Sequence, residues 1–279
     1  MQEMKTPINN AMSFDVEDYF MVSAFEPYIE KSRWESFESR VVQNTNKILD
    51  ILKEFRVPAT FFVLGWVGER FPGLVKRIHS EGHEVACHGY YHRLVYHQTP
   101  DEFRQDIRKA KKILEEAVGV PVIGYRAPSF SIVEKTKWAL GILKEEGFLY
   151  DASIFPAPHA RGGMAGADRF PSKIDGLAEF PMSTVRLMGK SFAFAGGGHL
   201  RLFPYKLIRW SIDKCNRGGY PSMVYIHPWE LDPGQPRLKA RRIDMFKHYV
   251  NINQTEMKLR ALLRDFKFNT VRQTLEGIL

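Results

Sequence analysis

Cysteine is scarce: Cys87 and Cys215 are the only two among 279 residues. That excludes a disulfide-stapled scaffold or a cysteine-rich metal fold, and it predicts two reduced, buried thiols. No apolar run approaches the roughly 18 residues of a membrane-spanning helix, so no transmembrane segment is expected. Internal repeats and low-complexity linkers are also missing, which argues against solenoids and tethered arrays. Residues 1–10 carry no basic stretch followed by an apolar core, a pattern that predicts no secretory leader and a cytoplasmic protein. A dense basic stripe is lacking too, although the net charge is +8. The one basic cluster, Arg237, Lys239, Arg241 and Arg242, has no interleaved aromatics. It reads as solvated surface, and nucleic acid is not an expected partner.

What is present suits a globular protein. Hydrophobic residues make up 44% and charged residues 26%, enough for a single α/β domain across residues 1–279. Strand-like apolar runs at 11–14, 59–64, 83–87, 122–125, 148–150, 222–226 and 268–271 alternate with helical patterns. The helical patterns fall at 41–55, 72–80, 100–118, 135–146, 207–216 and 255–266. Such alternation predicts a parallel sheet. Thr99 before Pro100 and Gly119 after Val118 mark helix ends, and Thr255 is expected to cap the last long helix. Residues 152–202 are less regular. They hold His159 to Gly163 and Gly196 to Gly198, and they predict a long loop or lid with the glycines in a turn.

Ionisable residues stand where the strands end: Asp15, His88, Arg126, Asp151 and His227. Structural need alone would put apolar residues there, whereas an α/β barrel places its chemistry at strand C-termini. His88 and His92, four apart, can aim two imidazoles at one point. With the acidic cluster Asp15-Val16-Glu17-Asp18, they could complete a facial metal site having open positions. Cys87 beside His88 suggests a thiol–imidazole pair, but adjacent strand residues point to opposite faces.

Five ordered segments carry a resemblance: Asp15-Val16-Glu17-Asp18, His88-Gly89-Tyr90-Tyr91-His92, Arg126-Ala127-Pro128-Ser129, Tyr150-Asp151 and Val224-Tyr225-Ile226-His227. Together they resemble the motifs of the polysaccharide deacetylases, the NodB-homology proteins of carbohydrate esterase family 4. The match forms a motif core at 11–230, with a C-terminal extension at 231–279. Asp15-Val16-Glu17-Asp18-Tyr19-Phe20, the stretch from Gly196 to Pro204, and His248-Tyr249-Val250-Asn251 with the helix after it are similar to deacetylases encoded with exopolysaccharide and exosortase (PEP-CTERM) loci.

The resemblance implies a distorted (β/α)7-type barrel with parallel strands and a long irregular insertion before the last ones. It implies a hydrolase that removes acetyl from N-acetylated amino sugars of an oligo- or polysaccharide, in exopolysaccharide synthesis. The implied cofactor is a divalent metal, foremost Zn2+, with Co2+, Ni2+ and Fe2+ as alternatives. Asp15 would be the base. His88 and His92 would be ligands, with Asp18 or Glu17 as the third and Asp18 favoured. The Ser129 backbone N–H would face the oxyanion, and His227 would be the general acid. Arg126 and Asp151 would pair to hold Asp15. Tyr90, Tyr91, Phe130, Phe155 and Trp229 are candidates for a sugar-stacking wall. Two departures stand out: the usual first motif has adjacent aspartates where this chain has Asp15-Val16, and Phe155 replaces a tryptophan after the fourth. The altered acidic spacing keeps an amidohydrolase acting on a small cyclic amide or ureide as a competing reading. A non-catalytic glycan-binding module is a third.

Overall fold

The computed structural model describes residues 8–159 and 162–279. Residues 1–7, on which the leader expectation mostly rests, and Ala160 and Arg161 lie outside them. Five strands and their crossovers build the first half: β1 (Asn10–Val16), α1 (Val41–Phe55), β2 (Thr60–Val63), α2 (Gly65–Arg70), α3 (Pro72–Ser80), β3 (Glu84–Cys87), α4 (Pro100–Val118), β4 (Gly124–Tyr125), α5 (Trp138–Glu145) and β5 (Tyr150–Asp151). The second half contributes β6 (Ser172–Ile174), β7 (Leu177–Glu179), β8 (Thr184–Leu187), β9 (Lys190–Ala193), α6 (Gly197–Leu202), α7 (Tyr205–Arg217), β10 (Met223–Ile226), α8 (Arg242–Tyr249), α9 (Thr255–Asp265), β11 (Phe268–Asn269) and α10 (Val271–Thr274).

The sheet order is β10-β1-β2-β3-β4-β5-β7-β6, with β11 beside the start of β1. Pairing in this sheet is parallel from β10 through β7, and β6 runs antiparallel against β7. The fold is thus α/β, with a curled, mostly parallel sheet forming a half-barrel. Every residue of β1 is buried, as expected for a strand covered on both faces.

Side-chain alternation splits the core in two. Ala11, Phe62, Ala86, Tyr150, Ala152, Ala178, Phe180 and Met223 pack together inside the curl. Met12, Phe14, Phe61, Val85 and Tyr125 pack outside it in the larger cluster, with the helices.

Helix ends follow the local chemistry. Thr99 and Glu102 form a reciprocal capping box on α4, and Gly119 closes it at φ 73°, worth about 1 kcal/mol for such a cap. Three expectations are corrected. Thr255 lies inside α9, whose N-cap is Gln254. Gly197 and Gly198 open helix α6 instead of forming a turn. Residues 152–202 hold two hairpins, β6–β7 and β8–β9, each with a two-residue turn at positive φ (Asp175-Gly176 and Met188-Gly189), as primed hairpin turns require. Among the described residues, no helix is long and apolar enough to cross a membrane.

Candidate metal and acid–base site

The alternation that divides the core also builds the site. Asp15 and Glu17 sit two apart at the end of β1, so both face inward. His88 follows β3, Arg126 follows β4 and His227 follows β10, each in register with the inward residues Ala86, Gly124 and Met223. Glu17, His88 and His92 each bring a ligand atom to within 4.8 Å of the others, all buried. His92 Nε2 lies 2.9 Å from Glu17 Oε2.

Asp18, expected as the favoured ligand, has the opposite parity and turns outward. It accepts from Ser39 Oγ at 2.7 Å, from the backbone N–H groups of Arg40 at 2.8 Å and Val41 at 3.1 Å, and from its neighbour Tyr19 at 3.0 Å. Asp18 therefore serves the N-terminus of α1, and Glu17 takes the place beside the imidazoles.

The histidines are held by their surroundings. His88 Nδ1 donates to the Arg126 carbonyl at 2.8 Å, which turns Nε2 toward the cluster and fixes the tautomer, as metal-ligating histidines need. Burial lowers the His88 pKa to about 4, against weaker upward pulls from Asp15 and Glu17, so the ring is neutral. Asp106 accepts the Tyr90 N–H at 2.7 Å and steadies the loop between the two imidazoles, while His92 itself adopts φ 51°. Burial alone would raise Glu17, but His92, His227 and His88 outweigh it and bring its pKa to about 2. Glu17 Oε1 accepts from Trp229 Nε1 at 3.2 Å.

Asp15 is gripped by Arg126, Nη1 to Oδ1 at 2.5 Å, with both side chains buried. The guanidinium lies over the Phe62 ring at 4.0 Å. Asp15 Oδ2 faces His227 Nε2 at 3.9 Å. Burial pulls the His227 pKa down, yet the Glu230 hydrogen bond and the charges of Glu17, Glu230 and Asp15 raise it to about 9. His227 keeps 17% of its side chain exposed, against 5% or less for Asp15, Glu17 and His92. It is the most exposed group of this set.

The expected Arg126–Asp151 pair does not form. Tyr150 and Ala152 point inward, so Asp151 between them points out, where it accepts from Ser153 Oγ at 2.5 Å and neighbours Glu179 in register. Burial raises both carboxyls, and the Asp151 charge raises Glu179 further. Ser129 sits in a short 3-10 turn at φ 51°, its hydroxyl 2.8 Å from Ser23 Oγ, which in turn lies 3.4 Å from His92 Nδ1.

The aromatic wall is largely corrected. Tyr90, Phe130, Phe155 and Trp229 are each 4% exposed or less, which leaves no ring face for a sugar. Tyr90 donates to Glu69 at 2.6 Å, and Phe130 packs edge-on against Phe155 at 5.5 Å. Tyr91, at 37% exposed, is the one of the five open to solvent. Both cysteines are free and buried, and burial pushes the Cys87 thiol up to about 12, which excludes a ready nucleophile. Sequence reasoning missed Ser23, Glu179, Arg201 and Glu230. Of these, only Glu230 left a local signal, standing three residues after His227 with Pro228 between. A cavity of about 870 Å3 opens at the other end of the sheet, by Ile8, Phe55, Asn216 and Phe268. None of the residues described above lines it.

Comparisons with known proteins divide the chain. Residues 27–147 match the polysaccharide deacetylase family, and residues 152–276 match a domain of unknown function, DUF3473. The chain is similar to a peptidoglycan-N-acetylglucosamine deacetylase of Bacillus cereus, 44% identical over 96 residues, which are 34% of this chain and 35% of that protein. It is also similar to a peptidoglycan deacetylase of Helicobacter pylori, 31% identical over 108 residues, 39% of this chain and 36% of that one. The matched stretch thus spans a little over a third of these relatives. Among solved structures, a chain assigned to the polysaccharide deacetylases from Mycobacterium smegmatis superposes with a TM-score of 0.61 at 23% identity, covering 98% of this chain and 94% of that one. The likeness at that identity bears on the fold, and it supports the half-barrel.

Proposed function

We propose, from the premise that residues 27–147 are a segment of the polysaccharide deacetylase family, that this protein is a metal-dependent hydrolase removing N-acetyl groups from amino sugars of a bacterial glycan. One observation carries the reading: Glu17, His88 and His92 converge beside the Asp15–Arg126 pair and the His227 ring. The donor set fits a borderline divalent ion, with two imidazoles, one neutral by burial, and a carboxylate. Glu17 Oε2, buried with His92 Nε2 at 2.9 Å beside it and no other hydrogen-bond partner among the described residues, fits a metal ligand. When bound, zinc supplies Lewis-acid polarisation of the acetyl carbonyl and acidifies water.

The remaining steps belong to the chain. Arg126 fixes one of the Asp15 oxygens, leaving the other to take the proton of the attacking water. His227 gives its proton to the departing amine, so acetate and a free amino sugar leave. The backbone at Ser129 is the proposed second donor to the oxyanion. The likeness of the Asp15–Phe20 and Gly196–Pro204 stretches to deacetylases of exopolysaccharide loci supports an exopolysaccharide substrate. The names of the relatives support peptidoglycan.

Acetate release from N-acetylated exopolysaccharide, peptidoglycan and a chito-oligomer separates these substrates. A chelator should abolish release and zinc restore it. Asp15→Asn should cost about 100- to 10,000-fold in kcat, the usual range for a general base, with bound zinc retained. Undiminished turnover in metal-free protein or in D15N would overturn the mechanism.

A further inference from the structure

We propose that the segment matching the domain of unknown function holds the general acid in place: Glu230, braced by Arg201, is a positioning residue that grips His227 by Nδ1 and so turns Nε2 toward Asp15. The inference rests on the reading of His227 as proton donor.

Glu230 Oε1 accepts from the His227 ring at Nδ1, 2.6 Å, and from the His227 backbone N–H at 3.0 Å. One oxygen thus ties ring and main chain together, which fixes the imidazole rotamer and leaves Nε2 as the nitrogen toward Asp15 and Glu17. The other oxygen, Oε2, meets Arg201 Nε at 2.7 Å, with both side chains 3% exposed or less. Trp229 closes one face of the imidazole, its ring stacked at 5.2 Å and 20°, and stacks in turn on His248 at 4.0 Å.

Arg201 is anchored as deliberately as it anchors. Its guanidinium donates to the carbonyls of His248 and Lys247, the latter at 3.0 Å, in the last turn of α8. A helix C-terminus is where a cation is favoured. Lys258 of α9 donates to the carbonyls of Leu200, Arg201 and Phe203, each at 2.9 Å, and ties down the end of α6. Helices α6, α8 and α9 all lie in the segment 152–276. A buried ion pair of this kind contributes little net stability compared with apolar packing, so its presence against a catalytic imidazole calls for a role in orientation. Asp151, at the end of β5, is turned out of the barrel toward Glu179 and takes no part in holding the ring. Among the described residues, the carboxylate within 4 Å of His227 Nδ1 is that of Glu230.

The test uses the full chain, Glu230→Gln and His227→Gln. Proton NMR of the metal-free protein should show a low-field Nδ1–H resonance in the wild type that is lost in H227Q and moves upfield in E230Q. In zinc-loaded protein, kcat of E230Q should fall about 10- to 100-fold, the scale of lost outer-shell orientation, with KM within about threefold. If E230Q does not fold, Glu230→Asp, which keeps the charge but shortens the reach, is read the same way. Wild-type kcat with an unmoved resonance would overturn the inference. Full activity in H227Q would instead overturn the general-acid reading, and the resonance would still decide whether Glu230 holds the ring.

Discussion

Substituting Glu17 and Asp18 in turn separates two jobs that adjacent carboxylates perform in this chain. Asp18 takes four donors: Ser39 Oγ, the Arg40 and Val41 N–H groups, and the Tyr19 N–H. Asp18→Ala removes a cap from α1, worth about 1 kcal/mol, and strands the two fully buried donors, the Tyr19 and Val41 N–H groups, at about 1 kcal/mol each. The sum is about 3 kcal/mol. At 2–4 °C per kcal/mol for a chain near this size, the unfolding midpoint should drop by roughly 6–12 °C. Zinc affinity should stay within about threefold, because Asp18 points away from the imidazoles. Glu17→Gln should do the reverse. The amide keeps the volume and still accepts from Trp229, so stability changes little, but the anionic donor is gone. Outer-shell changes alone cost about 10- to 100-fold in metal affinity, so loss of a ligand should cost at least about 100-fold. Competition against a chromophoric chelator, with thermal unfolding of the metal-free proteins, reads both quantities. If D18A loses zinc while E17Q binds it like the wild type, the assignment from strand parity is wrong.

Two further predictions concern the scaffold. A Cβ on Gly196 would lie 2.1 Å from the Tyr225 ring and 2.6 Å from its carbonyl oxygen, whereas one on Gly198 would meet nothing nearer than 3.9 Å. Gly196→Ala should therefore cost about 1–3 kcal/mol or more and G198A about 0.5 or less; equal urea midpoints for the two would contradict the packing. Burial lowers His83 to about 4 from an ordinary 6.5, with Glu81 pulling weakly the other way, and its Nδ1 accepts the Ala59 N–H at 3.2 Å. Since the folded state prefers the neutral ring, the stability it contributes is complete above pH 6.5. It erodes below that and is gone near pH 4, by about 3 kcal/mol at most. Stability of His83→Asn should fall less steeply between pH 6.5 and 4, and an unchanged slope would refute the attribution.

The helices were the most legible part of the chain. Residues 41–55, 72–80 and 100–118 are helical to the residue, because Pro72 and the Thr99–Glu102 box mark starts and Gly119 marks a stop. The strand ends were legible for the same reason that they matter, since polar groups there interrupt apolar runs. Some of what was missed had a signal. Alternation along Asp15-Val16-Glu17-Asp18 already separates Asp18 from Asp15, and Tyr150-Asp151-Ala152 likewise turns Asp151 away from the inward face. Asp175-Gly176 is a strong hairpin sign. Met188-Gly189 is not, because methionine rarely adopts the φ of 48° it holds here. The partnership of Arg201 with Glu230 left no trace in local pattern, since it depends on where α8 ends in space.

The pairing of β1 with β10, Ala11 beside Met223, has a consequence for the nascent chain. The strand that carries Asp15 is made long before its neighbour on one side. Until that segment arrives, a strand that the finished fold buries along its whole length has one seam open to water and to other chains. Premature termination anywhere before residue 223 should therefore yield a sticky, inert polypeptide, and holdase chaperones should be needed until β10 has emerged.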